Sequence, residues 1–415
     1  MIIKNDKIQF KNYLPLFFLI CLSGNPIITS ENYSKTLLVV YTFLFSFYTL
    51  SKIRWRIKYS IINHLAFIIS FIAVLVIAQR ISLGFVSYPG VFALILKIFL
   101  GLVTLLYYKN INVLNIYVKI MVFLSIISIP FFILNQIGYY GISINNGFKK
   151  SFIFYTSTTY SPYLRTPFVL IRNSGMFWEP GAFSGYLNLA IIFIILLNKE
   201  FKVRSYKKEI FWISLGVLTS MSTAGYIIFG IFISLYVLTN YKWGKIVLAP
   251  IFFIIIYFSY TNLSFLYEKV DEQYYSAQNY QPGDFTNTRF GSLLWDYEYI
   301  KSQPIFGNGL DINTRFRFDY DVVNADVGNG NGFSNFIVYW GIPFFLFWLY
   351  NVYKFSYNIS EKRLISLITI FIMILSLQGE QFLNFPLFLT FFVFPVIYKN
   401  RKELVSNKRI ISERL

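Results

Sequence analysis

The chain has 415 residues, 56% of them hydrophobic, 21% aromatic and only 13% charged, with a mean hydropathy of +0.55. That composition excludes an ordinary soluble domain and describes a polytopic membrane protein. The formal charge of +18 is spread over many short loops rather than gathered in one patch, so no nucleic-acid partner is implied, and a single Cys21 with a single His64 exclude an internal disulfide and a zinc-type metal site.

In chain order, residues 1–137 hold five apolar runs of spanning or near-spanning length, beginning near Phe10, Thr36, Ile61, Tyr88 and Val113. The first follows Lys4, Lys7 and Lys11 but lacks a small-residue cleavage site after it, and is expected to be retained. Residues 138–180 form a long loop. Four more runs, from Gly181, Glu209, Thr223 and Gly244, fill 181–260; the seventh and eighth are short and separated only by "SMSTAG". A larger loop covers 261–332, three runs from Phe333, Arg363 and Phe382 occupy 333–398, and a basic tail ends the chain at 399–415. The expectation is an all-α fold of about twelve transmembrane helices with two long outer loops.

Lysines and arginines settle the orientation. Lys52, Arg54, Arg56, Lys58, the cluster "KEFKVRSYKK", Lys242, Lys245, Lys362, Arg363, both termini and their basic residues fall on one side of this topology. That side is the cytoplasm by the positive-inside rule, so both long loops are expected to be extracytoplasmic, and low Gly with abundant Ile, Asn, Lys and Tyr and no lumenal cysteine is consistent with a bacterial inner membrane. Within the spans, Lys97 lies about 13 Å into the fourth run at 1.5 Å per residue and must pair, face a cavity or snorkel. Lys119 is placed to snorkel, and His64, near the cytoplasmic face, reads as structural.

The second loop contains "TNTRFGSLLWDYEYIKSQPIFGNGL", in which Phe290, Leu293, Leu294, Tyr297 and Ile300 recur at helical spacing between Asn287 and Pro304. This predicts an amphipathic helix lying on the membrane surface as a lid. Arg289 stands in its first turn, where the helix dipole disfavours a cation; an anion shared between its guanidinium and free helix-start N–H groups would reconcile the two. The first loop ends in "RNSGMFWEPGAFSGY", where Pro180 suits the first position of a helix and Glu179 precedes it. "DYD" at Asp319–Asp321 has the look of a metal-binding motif, but no metal is expected there.

Taken in order, "RNSGMFWEPGAFSGYLNLA", "LTSMSTAGYIIF", "TRFGSLLWDYEYIKSQPIFGNGL" and "NGFSNFIVYWGIPFF" resemble the O-antigen and capsular polysaccharide polymerases (Wzy) within the O-antigen ligase/polymerase superfamily, over roughly residues 165–380. The resemblance implies a glycosyltransferase that moves a glycan from undecaprenyl diphosphate to the non-reducing end of another lipid-linked repeat unit on the periplasmic face, without metal or cofactor. Such a polymerase works beside a chain-length regulator and a flippase. Negative charge develops on the leaving diphosphate, so Arg172 and Arg289 are the first candidates to stabilise it; Arg165, Arg315 and Arg317 are candidates to hold donor or acceptor phosphates. The acceptor hydroxyl needs a base or an orienting acceptor, for which Glu179 and Glu380 are the candidates and Glu179 is preferred, Glu380 being alternatively a group that binds sugar hydroxyls or pairs with an arginine. Trp178 and Trp295, with Tyr274, Tyr275, Tyr297 and Tyr299, are candidates to stack on sugar faces.

Three departures limit the match. Where ligases usually carry a histidine, this chain has Gly330-Asn331-Gly332; where many relatives have arginine after "SMS", Thr223 and Ala224 stand; and the arginine-x10-glycine loop pattern is missing. The alternatives are a ligase-type glycosyltransferase and a lipid-linked oligosaccharide flippase, the latter expected to show internal repeats that this sequence lacks.

Overall fold

The structure is a computed structural model describing residues 10–29, 34–54, 56–108, 112–138, 142–145, 148–151, 154–161, 168–199, 204–240, 264–281, 288–317 and 330–398. It is a mostly helical membrane protein. Its principal helices are α1 (Leu14–Leu22), α2 (Ser34–Lys52), α3 (Tyr59–Leu83), α4 (Tyr88–Tyr107), α5 (Val113–Gln136), α6 (Pro180–Asn198), α7 (Lys207–Ser220), α8 (Thr223–Asn240), α9 (Ser264–Gln278), α10 (Arg289–Ser302), α11 (Gly332–Ser360) and α12 (Arg363–Gly379). Among the described residues α3, α4, α5, α6 and α11 are long and apolar enough to cross a bilayer. The run expected from Gly244 lies outside the described residues.

α6 is the axis of the bundle. It is apolar all round, as a helix enclosed by other helices must be, and from Ala182 to Leu196 every side chain is buried against α5, α7, α8, α11 or α12. α11 and α12 form an antiparallel hairpin whose turn places Glu361 in an ion pair with Lys199.

Three sequence expectations change here. First, the fold is not purely α. The loop after α5 contains an antiparallel meander, β1 (Ile142–Asn145), β2 (Phe148–Ser151), β3 (Phe154–Ser161) and β4 (Phe168–Gly175), in that spatial order. β4 pairs with β3 with Arg172 opposite Ser157, and lies against the ends of α5, α6 and α7. Asn173 fixes it there, donating to Ser128 Oγ of α5 (2.9 Å) and Thr219 Oγ1 of α7 (3.0 Å).

Second, the run beginning at Phe382 is not a helix but a chain of short turns, Phe382–Asn384, Pro386–Leu389, Thr390–Phe392 and Phe394–Ile397, buried within the bundle. Pro386 and Pro395 each stand in the first turn of a short helix, and carbonyls left over where the pieces end find side-chain donors, as backbone enclosed in a membrane must. Lys97 Nζ donates to Asn384 O (2.8 Å), Trp348 Nε1 to Phe388 O (3.0 Å), His64 Nε2 to Phe392 O (2.8 Å) and Asn358 Nδ2 to Tyr398 O (3.0 Å). Lys97 therefore pairs, and His64 is structural.

Third, α10 does form between the expected limits, but it buries a different face. Gly291, Ser292, Trp295, Asp296 and Tyr299 are buried against α11, while Phe290 and Tyr297 of the apolar stripe are 49% and 58% exposed. Small residues at 291 and 292 allow close approach to α11, and a buried ion pair, described below, holds the rest. After α10 the segment Gln303–Leu310 docks by its backbone on a break in α11. Gly341 there has φ +79°, a conformation that costs glycine little, and a Cβ on it would overlap Ile305 O. Asn308 N donates to Val338 O (2.6 Å), Gly309 N to Tyr339 O (3.2 Å) and Ile342 N to Pro304 O (2.8 Å), and Gln79 Nε2 bridges Phe306 O and Tyr339 O.

Candidate functional site

At the end of the bundle that carries the sheet, the starts of α6, α8, α10 and α11 converge with the end of α12 around a cavity of about 1000 Å³. It is recessed. α12 has 17 residues and α7 only 14, rises of about 25 and 21 Å that fall short of an apolar layer about 30 Å thick. The floor, formed by Gln381, Asn384 and Phe385, is tied to Lys97 more than two turns below the start of α4.

Two carboxyl groups meet in this cavity. Glu179 precedes Pro180 at the start of α6, with extended backbone and no capping hydrogen bond from its side chain. Glu380 follows Gly379 at the end of α12 and is 6% exposed. Both acids approach the place that a Cβ on Gly181 would occupy, Glu380 Oε1 most closely and Glu179 Oε1 within 3.7 Å, and Trp178 lines the cavity beside them. Burial, and then the neighbouring Glu179, hold the Glu380 carboxyl well above the usual carboxylate range.

Glycines make this meeting possible. A Cβ on Gly181 would overlap Glu380 Oε1, and one on Gly332 would overlap the Glu380 carbonyl oxygen. The "EPG" sequence is thus a helix start in which proline sets the backbone and glycine leaves room for the second acid. Gly330-Asn331-Gly332 fills a comparable need: Asn331 caps α11, accepting from Phe333 N and Ser334 N at 3.2 Å each, and Gly332 admits the Glu380 turn.

The cations stand around this pair. Arg289 Nη2 lies 3.9 Å from Glu380 Oε1. Arg172 reaches the group from β4, its Nε donating to Ser220 O (3.3 Å) at the end of α7, where the helix dipole favours a cation. Burial lowers the Arg172 pKa, the field of Glu179 opposes that and the field of Arg289 adds to it, and a guanidinium in this setting stays charged. The expected sharing of an anion between Arg289 and bare helix-start N–H groups is not available in this form: Phe290 N donates to Gln273 Oε1 (3.0 Å) and Gly291 N to Thr288 Oγ1 (3.2 Å).

The structure thus brings together Arg172, Glu179, Arg289, Glu380 and Trp178. Trp178 packs on Phe385 at 4.7 Å between ring centroids and lines the cavity beside Glu179. Arg315 and Trp295 are corrections. Arg315 is 1% exposed and paired with Asp296; its Nε and Nη2 donate to Asn335 Oδ1 (3.2 and 3.1 Å), and Trp295, Tyr299, Phe316 and Tyr339 surround it. This network fastens α10 to α11 and neither residue lines the cavity. Arg317 donates to Ser302 Oγ (2.7 Å) at the far end of α10, also away from the cavity. Arg165 and Asp319–Asp321 lie outside the described residues. Thr223, Ala224, Gln273, Gln378 and Asn384 line the cavity without having been singled out; of these only the departure at Thr223-Ala224 carried a sequence signal. Among the described residues no three His, Cys, Asp or Glu side chains are grouped to hold a metal ion. Compared with protein-family models, with curated proteins and with solved structures, the chain matches none.

Proposed function

We propose that the protein is a polysaccharide polymerase of the O-antigen or capsule type, transferring a glycan from undecaprenyl diphosphate to the non-reducing end of a second lipid-linked repeat unit. The observation that supports it best is the recessed cavity in which two neighbouring carboxyl groups, Glu179 and Glu380, face Arg289 with Arg172 behind. In this reading the acceptor hydroxyl attacks the anomeric carbon of the donor, the bond from that carbon to the diphosphate oxygen breaks, and the hydroxyl proton passes to Glu179. Glu179 stands at the start of α6 and lines the cavity, and is the acid given this role. Arg289 and Arg172 stabilise the charge that collects on the departing lipid diphosphate, where a dry site strengthens the attraction. No metal is required for this chemistry.

The same reading takes the chain as about twelve membrane segments in a bacterial inner membrane, both termini cytoplasmic, with the cavity on the periplasmic face. The final segment is the broken one from Phe382, which descends within the bundle from the level of Lys97 to that of Tyr108, where Tyr398 Oη donates to Tyr108 O (3.5 Å).

The test is a purified protein in nanodiscs, without added metal, given only its lipid-diphosphate repeat unit. A ladder of longer lipid-linked glycans that disappears in Arg172→Ala and Arg289→Ala and slows in Glu179→Gln, at equal folded protein, supports the proposal. Bound substrate without a ladder overturns it, and transfer to a lipid A core acceptor or movement across a bilayer would then identify a ligase or a flippase.

A further inference from the structure

The charges of the cavity bear on which glycans it holds. Among the described residues its charged lining consists of Glu179, Glu272, Glu380 and Arg289, with Arg172 close behind. In the reading above the diphosphate engages both arginines, so no described cation is left over for a second anionic group. The other polar lining residues, including Thr223, Thr288, Gln378 and Asn384, are hydroxyls and amides, which suit sugar hydroxyl and acetamido groups.

Glu272 is the informative residue. It belongs to α9, is exposed, and borders the cavity without contributing to the carboxyl pair. Its neighbour Gln273 accepts from Phe290 N, and Ser276 is joined to Thr288 by a 2.5 Å hydrogen bond between their hydroxyls. These two bonds tie α9 to the start of α10 and hold the Glu272 backbone at the rim.

Resting on the polymerase reading, we propose that the cavity admits repeat units whose sugars near the reacting end are uncharged, and that Glu272 is a specificity residue that turns away acidic sugars. A uronate entering past Glu272 meets a like charge with no described arginine free to offset it, whereas a neutral sugar meets only hydrogen-bonding groups.

Three synthetic probes test this by direct binding to the purified protein in nanodiscs of zwitterionic lipid: bare undecaprenyl diphosphate, the same lipid carrying N-acetylglucosamine, and the same lipid carrying glucuronic acid. The neutral glycolipid should bind about tenfold more tightly than the acidic one, equivalent to about 1.4 kcal/mol. Raising salt to about 0.5 M should shrink that gap by screening. Glu272→Gln, at an exposed position, should also shrink it, read as the ratio of the two glycolipid affinities, in which any change in the hold on the common diphosphate cancels. Equal or tighter binding of the acidic probe, or a gap indifferent to Glu272→Gln, overturns the inference but leaves the polymerase reading standing. Failure of bare undecaprenyl diphosphate to bind overturns both.

Discussion

Arg315 separates a structural from a substrate-binding arginine. Asp296 is fully buried and pairs with the Arg315 guanidinium, while Ser334 Oγ donates to its other oxygen at 2.5 Å. Arg315→Met removes the cation but leaves much of the apolar stem among rings whose centroids lie 4.8 to 5.7 Å from the guanidinium carbon. Breaking a buried pair costs about 3–5 kcal/mol, chiefly by stranding the remaining charge. Because Ser334 still serves Asp296 and methionine fills part of the space, the loss should sit near the lower end, about 3 kcal/mol. Adding Asp296→Asn removes the stranded charge and should recover stability to within about 1–2 kcal/mol of the parent. Equilibrium unfolding of the purified protein by SDS titration measures both, and transfer kinetics at equal folded protein measure function. A loss below about 1 kcal/mol with a raised KM would refute the reasoning and return Arg315 to phosphate binding.

Other consequences follow from the same geometry. Because the folded-state pKa of Glu380 is raised, the folded protein binds a proton that the unfolded chain releases between the usual carboxylate range and the raised value; stability falls as pH rises through that window. Glu380→Gln should flatten this part of a thermal-stability profile taken from about pH 4 to 9, and an unchanged slope would count against the raised Glu380 pKa. Gly181→Ala must push aside the far end of the Glu380 side chain and should cost about 1–3 kcal/mol. Gly332→Ala meets the Glu380 backbone, which cannot yield in that way, and should be the more damaging of the two in the same unfolding assay. Lys97→Met leaves Asn384 O without its donor inside the bundle and should cost about 1–3 kcal/mol; a variant as stable as the parent would show that the contact is dispensable.

Among the described residues hydropathy marked the five helices long and apolar enough to cross a bilayer, but not the ways in which the shorter ones end. The seventh and eighth runs are brief, and α7 and α8 meet at a short turn, with the start of α8 lining the cavity. The acids and arginines of the site were legible from their positions at helix starts and ends, since Glu179, Arg289 and Glu380 all sit at such boundaries. Which arginines reach the cavity was not. Arg289 and Arg315 are alike in the sequence, and only the packing of α10 on α11 sends one to the cavity and the other into the interface. That packing was itself hidden, because the stripe from Phe290 to Ile300 outweighs Ser292 and Asp296 in any hydrophobic pattern, yet those two polar residues lie in the buried face. The sheet had left a clue in Asn146-Gly147, a hairpin-favouring pair, followed by the β-branched and aromatic stretch "FIFYTSTTY". Read against a membrane background, this looked like loop.

The broken segment from Phe382 to Tyr398 also constrains how the protein is assembled. A continuous helix satisfies its own backbone and can enter the lipid alone, whereas this segment depends on donors supplied by α3, α4 and α11 through His64, Lys97, Trp348 and Asn358. Left alone in hydrocarbon, it would expose carbonyls that nothing satisfies. It can therefore settle only into a bundle whose other helices are already in place, so closure of the cavity floor is a late event in biogenesis and reports that the preceding segments have come together correctly.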